Sequence, residues 1–178
     1  MRTLLQSISD SDGSFRVMGV DPGLKNTGSA VLQYKNNKLD KVLHDSLIRS
    51  KKDYPERDKI YQIGNEIDSI IDEYEVNIVG VESIFWSKNV TSALSTAKII
   101  GVVNYISVLK NLPCFEINPQ TVKKALGFNR KSNKKEIKAR VELLTGIELG
   151  SHHTADAIGV AIACFLKLKS ESYKEGNE

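Results

Sequence analysis

Val17-Met18-Gly19-Val20-Asp21-Pro22-Gly23-Leu24-Lys25-Asn26-Thr27-Gly28-Ser29-Ala30-Val31-Leu32 decides how this chain is read. A short apolar run ends on a carboxylate. A Pro-Gly pair follows, and a small polar loop closes at Gly28 before a second apolar run leads away. Pro22 and Gly23 are strong turn formers, so the segment predicts a buried strand, a tight turn and an antiparallel partner strand. Asp21 is then held at the end of a core strand, rigid and partly desolvated, a costly place for a lone charge. A metal ion would remove the cost. Capping the turn is the plainer role, and this segment alone leaves both open.

Working outward, Asn77-Ile78-Val79-Gly80-Val81-Glu82 is a second apolar run ending on a carboxylate. Near the C-terminus, Ser151-His152-His153-Thr154-Ala155-Asp156 opens an apolar helical pattern, with His153 and Asp156 three apart. Three separate elements thus deliver candidate metal ligands at their ends. Carboxylates suit Mg²⁺ and Mn²⁺. A site that clamps phosphate oxygens between two such ions needs a cluster of this kind.

These stretches resemble the three motifs of the RuvC family of Holliday-junction resolvases. Gly19-Val20-Asp21-Pro22-Gly23 with Thr27-Gly28 is similar to the family's opening. Glu82-Ser83-Ile84-Phe85-Trp86-Ser87-Lys88-Asn89, followed by Ser92-Ala93-Leu94, resembles the second motif. His153-Thr154-Ala155-Asp156-Ala157, followed by Val160-Ala161-Ile162-Ala163, resembles the third. The match runs from about Arg16 to about Lys167, and the three motifs in order are far more specific than any one.

At 178 residues and 40% hydrophobic content, the chain suffices for one compact core, burying roughly 70% of its unfolded surface. A net charge of only +3 means that any nucleic-acid face must come from local clustering. Cys114 and Cys164 sit in apolar runs and read as core thiols in a reducing, cytoplasmic compartment, not as a disulfide framework. No apolar run is read as reaching the ~20 residues of a membrane span. Residues 1–15 read as a flexible extension without signal-peptide character, 16–169 as one domain, and the charged tail 170–178 as disordered.

In order, strands are expected over Arg16 to Val20, Ser29 to Tyr34 and Leu39 to Ile48. A helix follows, opened by Tyr54-Pro55 and carrying Ile60, Ile63, Ile67, Ile70 and Ile71 on one face. Ile78 to Glu82 is a central strand. Asn89 is the expected cap of a long helix to about Lys110, Pro113 to Ile117 is a short strand, and Asn118-Pro119 opens a helix ended by Gly127. Asn133 with Glu136 is a capping box for a helix through Leu144, and a last helix spans about His153 to Lys169. A hairpin sheet followed by crossovers argues an α/β mixed sheet with helices on both faces. The resemblance implies the same thing, an RNase H-like fold in which the ends of the first and fourth strands are neighbours.

The resemblance also assigns roles. Asp21, Glu82 and Asp156 match the catalytic acids that hold two metal ions, Mg²⁺ with Mn²⁺ as substitute. His153 falls where some relatives carry an acid and others a histidine, as metal ligand or general base. His152 is read as a bystander, His44 as structural or exposed. Lys123, Lys124, Arg130, Lys131, Lys134, Lys135, Lys138 and Arg140 crowd one basic stretch. A duplex backbone needs such a patch. Lys123 and Lys134, with Lys135 as the alternative, align with the family's DNA-contacting lysines, and Arg130 and Lys88 join the expected DNA-binding set. Phe85 matches an aromatic placed near the junction centre, where it can stack on bases. The implied activity is a crossover junction endodeoxyribonuclease. Its paired nicks would leave 5′-phosphate and 3′-hydroxyl ends in recombination and repair. The implied partners are branched DNA, a second copy of the chain and a branch-migration complex, with no membrane. The long helix carrying Ile99, Ile100, Val102, Val103 and Ile106 is the expected dimer interface. Three other readings stand beside this one: a junction binder without cleavage, an actin-like ATPase or sugar kinase, and a phage-type debranching nuclease.

Overall fold

The computed structural model describes residues 7–84, 90–129 and 131–175. The strands are Ser14–Asp21 (β1), Asn26–Lys35 (β2), Lys38–Arg49 (β3), Ile78–Glu82 (β4) and Cys114–Ile117 (β5). The helices are Glu56–Glu73 (α1), Val90–Leu109 (α2), Pro119–Ala125 (α3), Lys134–Thr145 (α4) and His152–Glu175 (α5). One sheet runs in the order β3-β2-β1-β4-β5. β1 to β3 form an antiparallel meander, and β4 and β5 join in parallel through helical crossovers.

Period-2 alternation splits the core into two. Phe15 and Val17 of β1, with Leu32 and Ile78, pack against Val122, Val141, Ala157 and Val160 of α3, α4 and α5. Met18 and Val20, with Val31, Val79 and Val81, pack on the other side against Ile63 and Ile67 of α1 and Ile99 and Val103 of α2. Helices therefore cover both faces of a mixed sheet. Each buried Val, Leu or Ile contributes about 1.5–3 kcal/mol through burial.

Local signals set most boundaries. Asn36 and Asn37 take positive φ of 52° and 61°, the geometry of a tight two-residue hairpin. Asn118 caps α3 with Pro119 at the first helical position, and Asn133 and Glu136 form the reciprocal capping box of α4. Pro55 is the residue before α1, not inside its first turn. β1 begins at Ser14, because the Phe15 ring stacks against Tyr34 and packs against Phe165 at centroid distances of 5.5 and 5.8 Å. α5 continues past the expected end at Lys169 to Glu175, through a stretch without Gly or Pro. Cys164 and Cys114 lie on opposite faces of the sheet, and burial pushes both thiols up.

α2 departs from expectation twice. By length and composition it is apolar enough to cross a membrane, although no such run was expected. The reason is that it is apolar on two faces. Ile99, Ile100, Val103 and Ile106, assigned above to a partner, face the chain's own core, with Val102 partly buried beside them. Val90, Leu94, Tyr105, Val108 and Leu109 form the exposed side.

Candidate active site and nucleic-acid interface

The alternation that builds the core also aims the acids. In β1, Phe15 and Val17 face α5, so Gly19 and Asp21 do too; in β4, Ile78 faces α5, so Gly80 and Glu82 follow. β1 and β4 run parallel with Val20 opposite Val81, which sets Asp21 beside Glu82 at adjacent strand ends. α5 then sits directly on the strands. A Cβ on Gly19 would come within 2.0 Å of the Ala157 carbonyl oxygen, and one on Gly28 within 2.1 Å of the His153 carbonyl oxygen. Gly28 is the register partner of Asp21. It therefore seats the start of α5 against the strand end that carries Asp21, beyond closing the loop. Sequence reading missed this role; the signal was a glycine inside a strand pattern, which marks close backbone approach.

The helix start brings His153 and Asp156 into the same place. His153 Nδ1 lies 2.7 Å from Asp21 Oδ2, so this ring nitrogen carries the hydrogen and donates it. Asp21 and Asp156 side chains are only 14% and 20% exposed, so the charges are poorly screened. Burial, followed by the charges of Asp21 and Asp156 and a hydrogen bond with Asp21, pushes the Glu82 carboxyl up to about 8. Burial and the Asp21 charge raise Asp156 to about 6, against the opposing pull of Lys134, His153 and His152. The hydrogen bond to Asp21 raises His153. Like charges held this close in low dielectric disfavour one another's ionised forms.

This donor set fits hard divalent cations. Three oxygen-bearing side chains from three elements converge, and their own repulsion is what a cation would relieve. Among the described residues, no three His, Cys, Asp or Glu side chains already form a coordination cage; Asp21 Oδ2 is engaged by His153.

The basic stretch divides by role. Lys134, at the start of α4, places Nζ 4.0 Å from Asp156 Oδ2, so it belongs to the electrostatics of the centre itself. Lys123 lines a cleft of about 360 Å³ with Gln120, Lys124, Phe128 and Lys131. Lys135 is exposed on α4. Lys138 pairs with Glu142, and Arg140 Nε donates to the Leu126 carbonyl, tying α4 to the end of α3. Phe85, Lys88, Arg130, Trp86 and Asn89 lie outside the described residues. His152 precedes the cluster, and its charge acts on Asp156. His44 is half-buried on β3, with Nε2 3.0 Å from Ser46 Oγ and its ring against Tyr74, on the face of the sheet away from the acids.

A family model described as crossover junction endodeoxyribonuclease RuvC matches residues 17–164. The crossover junction endodeoxyribonuclease RuvC of Geotalea uraniireducens (strain Rf4) is 33% identical over 150 residues, covering 83% of this chain and 86% of that protein. That of Brachyspira hyodysenteriae is 30% identical over 146 residues, covering 82% and 91%. Among solved structures, T. thermophilus RuvC in complex with a Holliday junction substrate superposes with a TM-score of 0.79 at 22% identity, covering 89% of this chain and 98% of that one. The yeast mitochondrial Holliday junction resolvase Ydc2 gives 0.62 at 14% identity, covering 97% and 89%. At these identities the two structures speak to the fold alone.

Proposed function

Because this chain belongs to the RuvC family of crossover junction endodeoxyribonucleases, we propose that Asp21, Glu82, His153 and Asp156 are its cleavage centre and that it nicks four-way DNA junctions there. The observation that carries the assignment is the convergence of three partly buried carboxylates from β1, β4 and α5, two of them with raised pKa. Two Mg²⁺ ions, with Mn²⁺ as substitute, are the cofactors this set suits. Bound there, such ions neutralise the scissile phosphate and activate a water.

The chain's own groups do the rest. Asp21, between Glu82 and His153, would hold the ions together with Glu82 and Asp156. His153 is oriented through Nδ1 by Asp21, which leaves Nε2 to ligate or to accept a proton from the attacking water. The water oxygen bonds to phosphorus, and the P–O3′ bond breaks. The 3′ oxygen leaves with the electron pair and is protonated, giving 5′-phosphate and 3′-hydroxyl ends. Lys134 offsets negative charge beside Asp156 and, with Lys123, contacts the DNA backbone.

Two equivalent cuts call for two centres, and the exposed side of α2 supplies the surface. Leu94, Gly101 and Val108 recur seven residues apart, flanked by Val90 and Tyr105, and all are exposed. Leu94, Tyr105 and Val108 are 59%, 64% and 75% exposed. A helical glycine costs about 1 kcal/mol relative to alanine. Among the described residues, a Cβ at Gly101 would meet nothing within 4 Å, so none of them requires the glycine. A second α2 crossing at Gly101 would, as a two-fold dimer.

The test is a synthetic four-way junction with a linear duplex control. Paired, religatable nicks confined to the junction and abolished by a chelator are expected. Equal cutting of the linear duplex, or cutting with the chelator present, would refute the assignment.

A further inference from the structure

A cavity of about 440 Å³ shares His153 with the carboxylate centre and is otherwise lined by residues given no role so far. One wall is the turn after β1, where Lys25 and Asn26 are exposed. That turn is braced from beneath. Thr27 Oγ1 donates to the Gly23 carbonyl at 2.7 Å, Ser50 Oγ to the Leu24 carbonyl at 2.7 Å, and the Ser50 N–H to the Lys25 carbonyl at 3.2 Å. The facing wall is the start of α2. Thr91 and Ser95 are four apart, as are Ser92 and Thr96, so four hydroxyls share one face at the start of a largely apolar helix.

The chemistry of this lining is selective. It holds one ammonium, several hydroxyls and an amide, and no acidic side chain. Such a set repels nothing anionic and offers donors to phosphate oxygens, whereas the adjoining centre is carboxylate-rich. The volume falls in the range of pockets that enclose a small-molecule-sized group. A strand whose scissile phosphate lies at the carboxylates has His153 as its common border with this cavity.

We propose that the cavity is the subsite for the nucleotide adjoining the scissile phosphate, with that neighbour's phosphodiester held by Lys25 and by the Ser95 and Thr96 hydroxyls. The inference rests on the nuclease reading above. These are positioning residues, acting by fixing where the strand lies.

The experiment uses four-way junctions carrying one uncharged methylphosphonate at each linkage flanking the cut in turn, with single-turnover cleavage as the readout. Wild type, Lys25→Ala, Lys25→Arg and a Ser95→Ala/Thr96→Val variant are compared. One neighbouring linkage, once neutral, should slow wild type roughly tenfold, the scale of one charge-assisted contact. Lys25→Ala should slow the unmodified junction similarly and lose sensitivity to that linkage alone, and Lys25→Arg should restore both. The double variant should blunt the same sensitivity. Variants that keep wild-type sensitivity at every linkage, or that cut the unmodified junction at the wild-type rate, would overturn the subsite and leave the nuclease standing. A wild-type protein that cuts no unmodified junction would sink both.

Discussion

Replacing Glu82 by Gln should stabilise the metal-free protein while abolishing cleavage. In the folded chain, burial and the charges of Asp21 and Asp156 hold the Glu82 carboxyl at about 8, against an ordinary 4.5. Below pH 4.5 the carboxyl is protonated in both folded and unfolded chains, and no cost arises. Between 4.5 and 8 the folded form keeps a proton that the unfolded chain has released, so stability falls as pH rises, by about 1.4 kcal/mol per pH unit. Above 8 the loss is complete, at a ceiling of about 5 kcal/mol. Gln keeps the shape and cannot ionise, so it escapes this loss. Urea unfolding in the presence of a chelator should place the two proteins within about 1 kcal/mol at pH 5, with Gln ahead by about 3 kcal/mol at pH 7 and further ahead at pH 9. Adding Mg²⁺ or Mn²⁺ should narrow the gap, because binding to the folded form stabilises wild type more than Gln. A difference that does not change with pH, or a wild type that is the more stable protein at pH 9, would show that Glu82 is not forced against Asp21 and Asp156.

Asp21→Asn should bind a four-way junction with near wild-type affinity and not cut it; joint loss of binding and cutting would mean that Asp21 holds the fold instead. His153→Ala should lose cleavage severely with binding kept, and His153→Asp should retain much of it, measured as single-turnover rates in each metal. Because the Asp21 hydrogen bond raises His153 above the ordinary histidine range, its neutral form is lost at a higher pH than that of a free imidazole, and cleavage should fall with it as the pH drops. Lys123→Ala and Lys134→Ala should each flatten the salt dependence of junction binding by about 0.9 in log–log slope. Only Lys134→Ala should also depress cleavage of bound junction, since it removes the cation beside Asp156. Gly101→Arg and Tyr105→Glu should each leave a monomer by light scattering; a persistent dimer would place the interface elsewhere.

Much of this molecule is legible without coordinates, wherever the signal is local. Asp21 and Glu82 each close an apolar run, and Asn118-Pro119 and the Asn133–Glu136 pair mark helix starts, because caps and strand periods are set by residues a few positions apart. The spacing of His153 and Asp156 already puts both on one helical turn. What only the tertiary structure decided depends on who the neighbours are. α5 rests on Gly19 and Gly28 because their missing Cβ atoms admit its backbone, and that approach delivers His153 to Asp21. Within one basic run, Lys134 meets Asp156, Lys138 meets Glu142 and Arg140 meets the Leu126 carbonyl, although their charges read alike in sequence. The same holds for α2, where apolar residues lie on both sides and the spacing cannot say which face is core. Packing against α1 and the sheet takes Ile99 and Val103 inside and leaves Tyr105 and Val108 out, because burial is a property of the surface a helix meets and not of the helix itself.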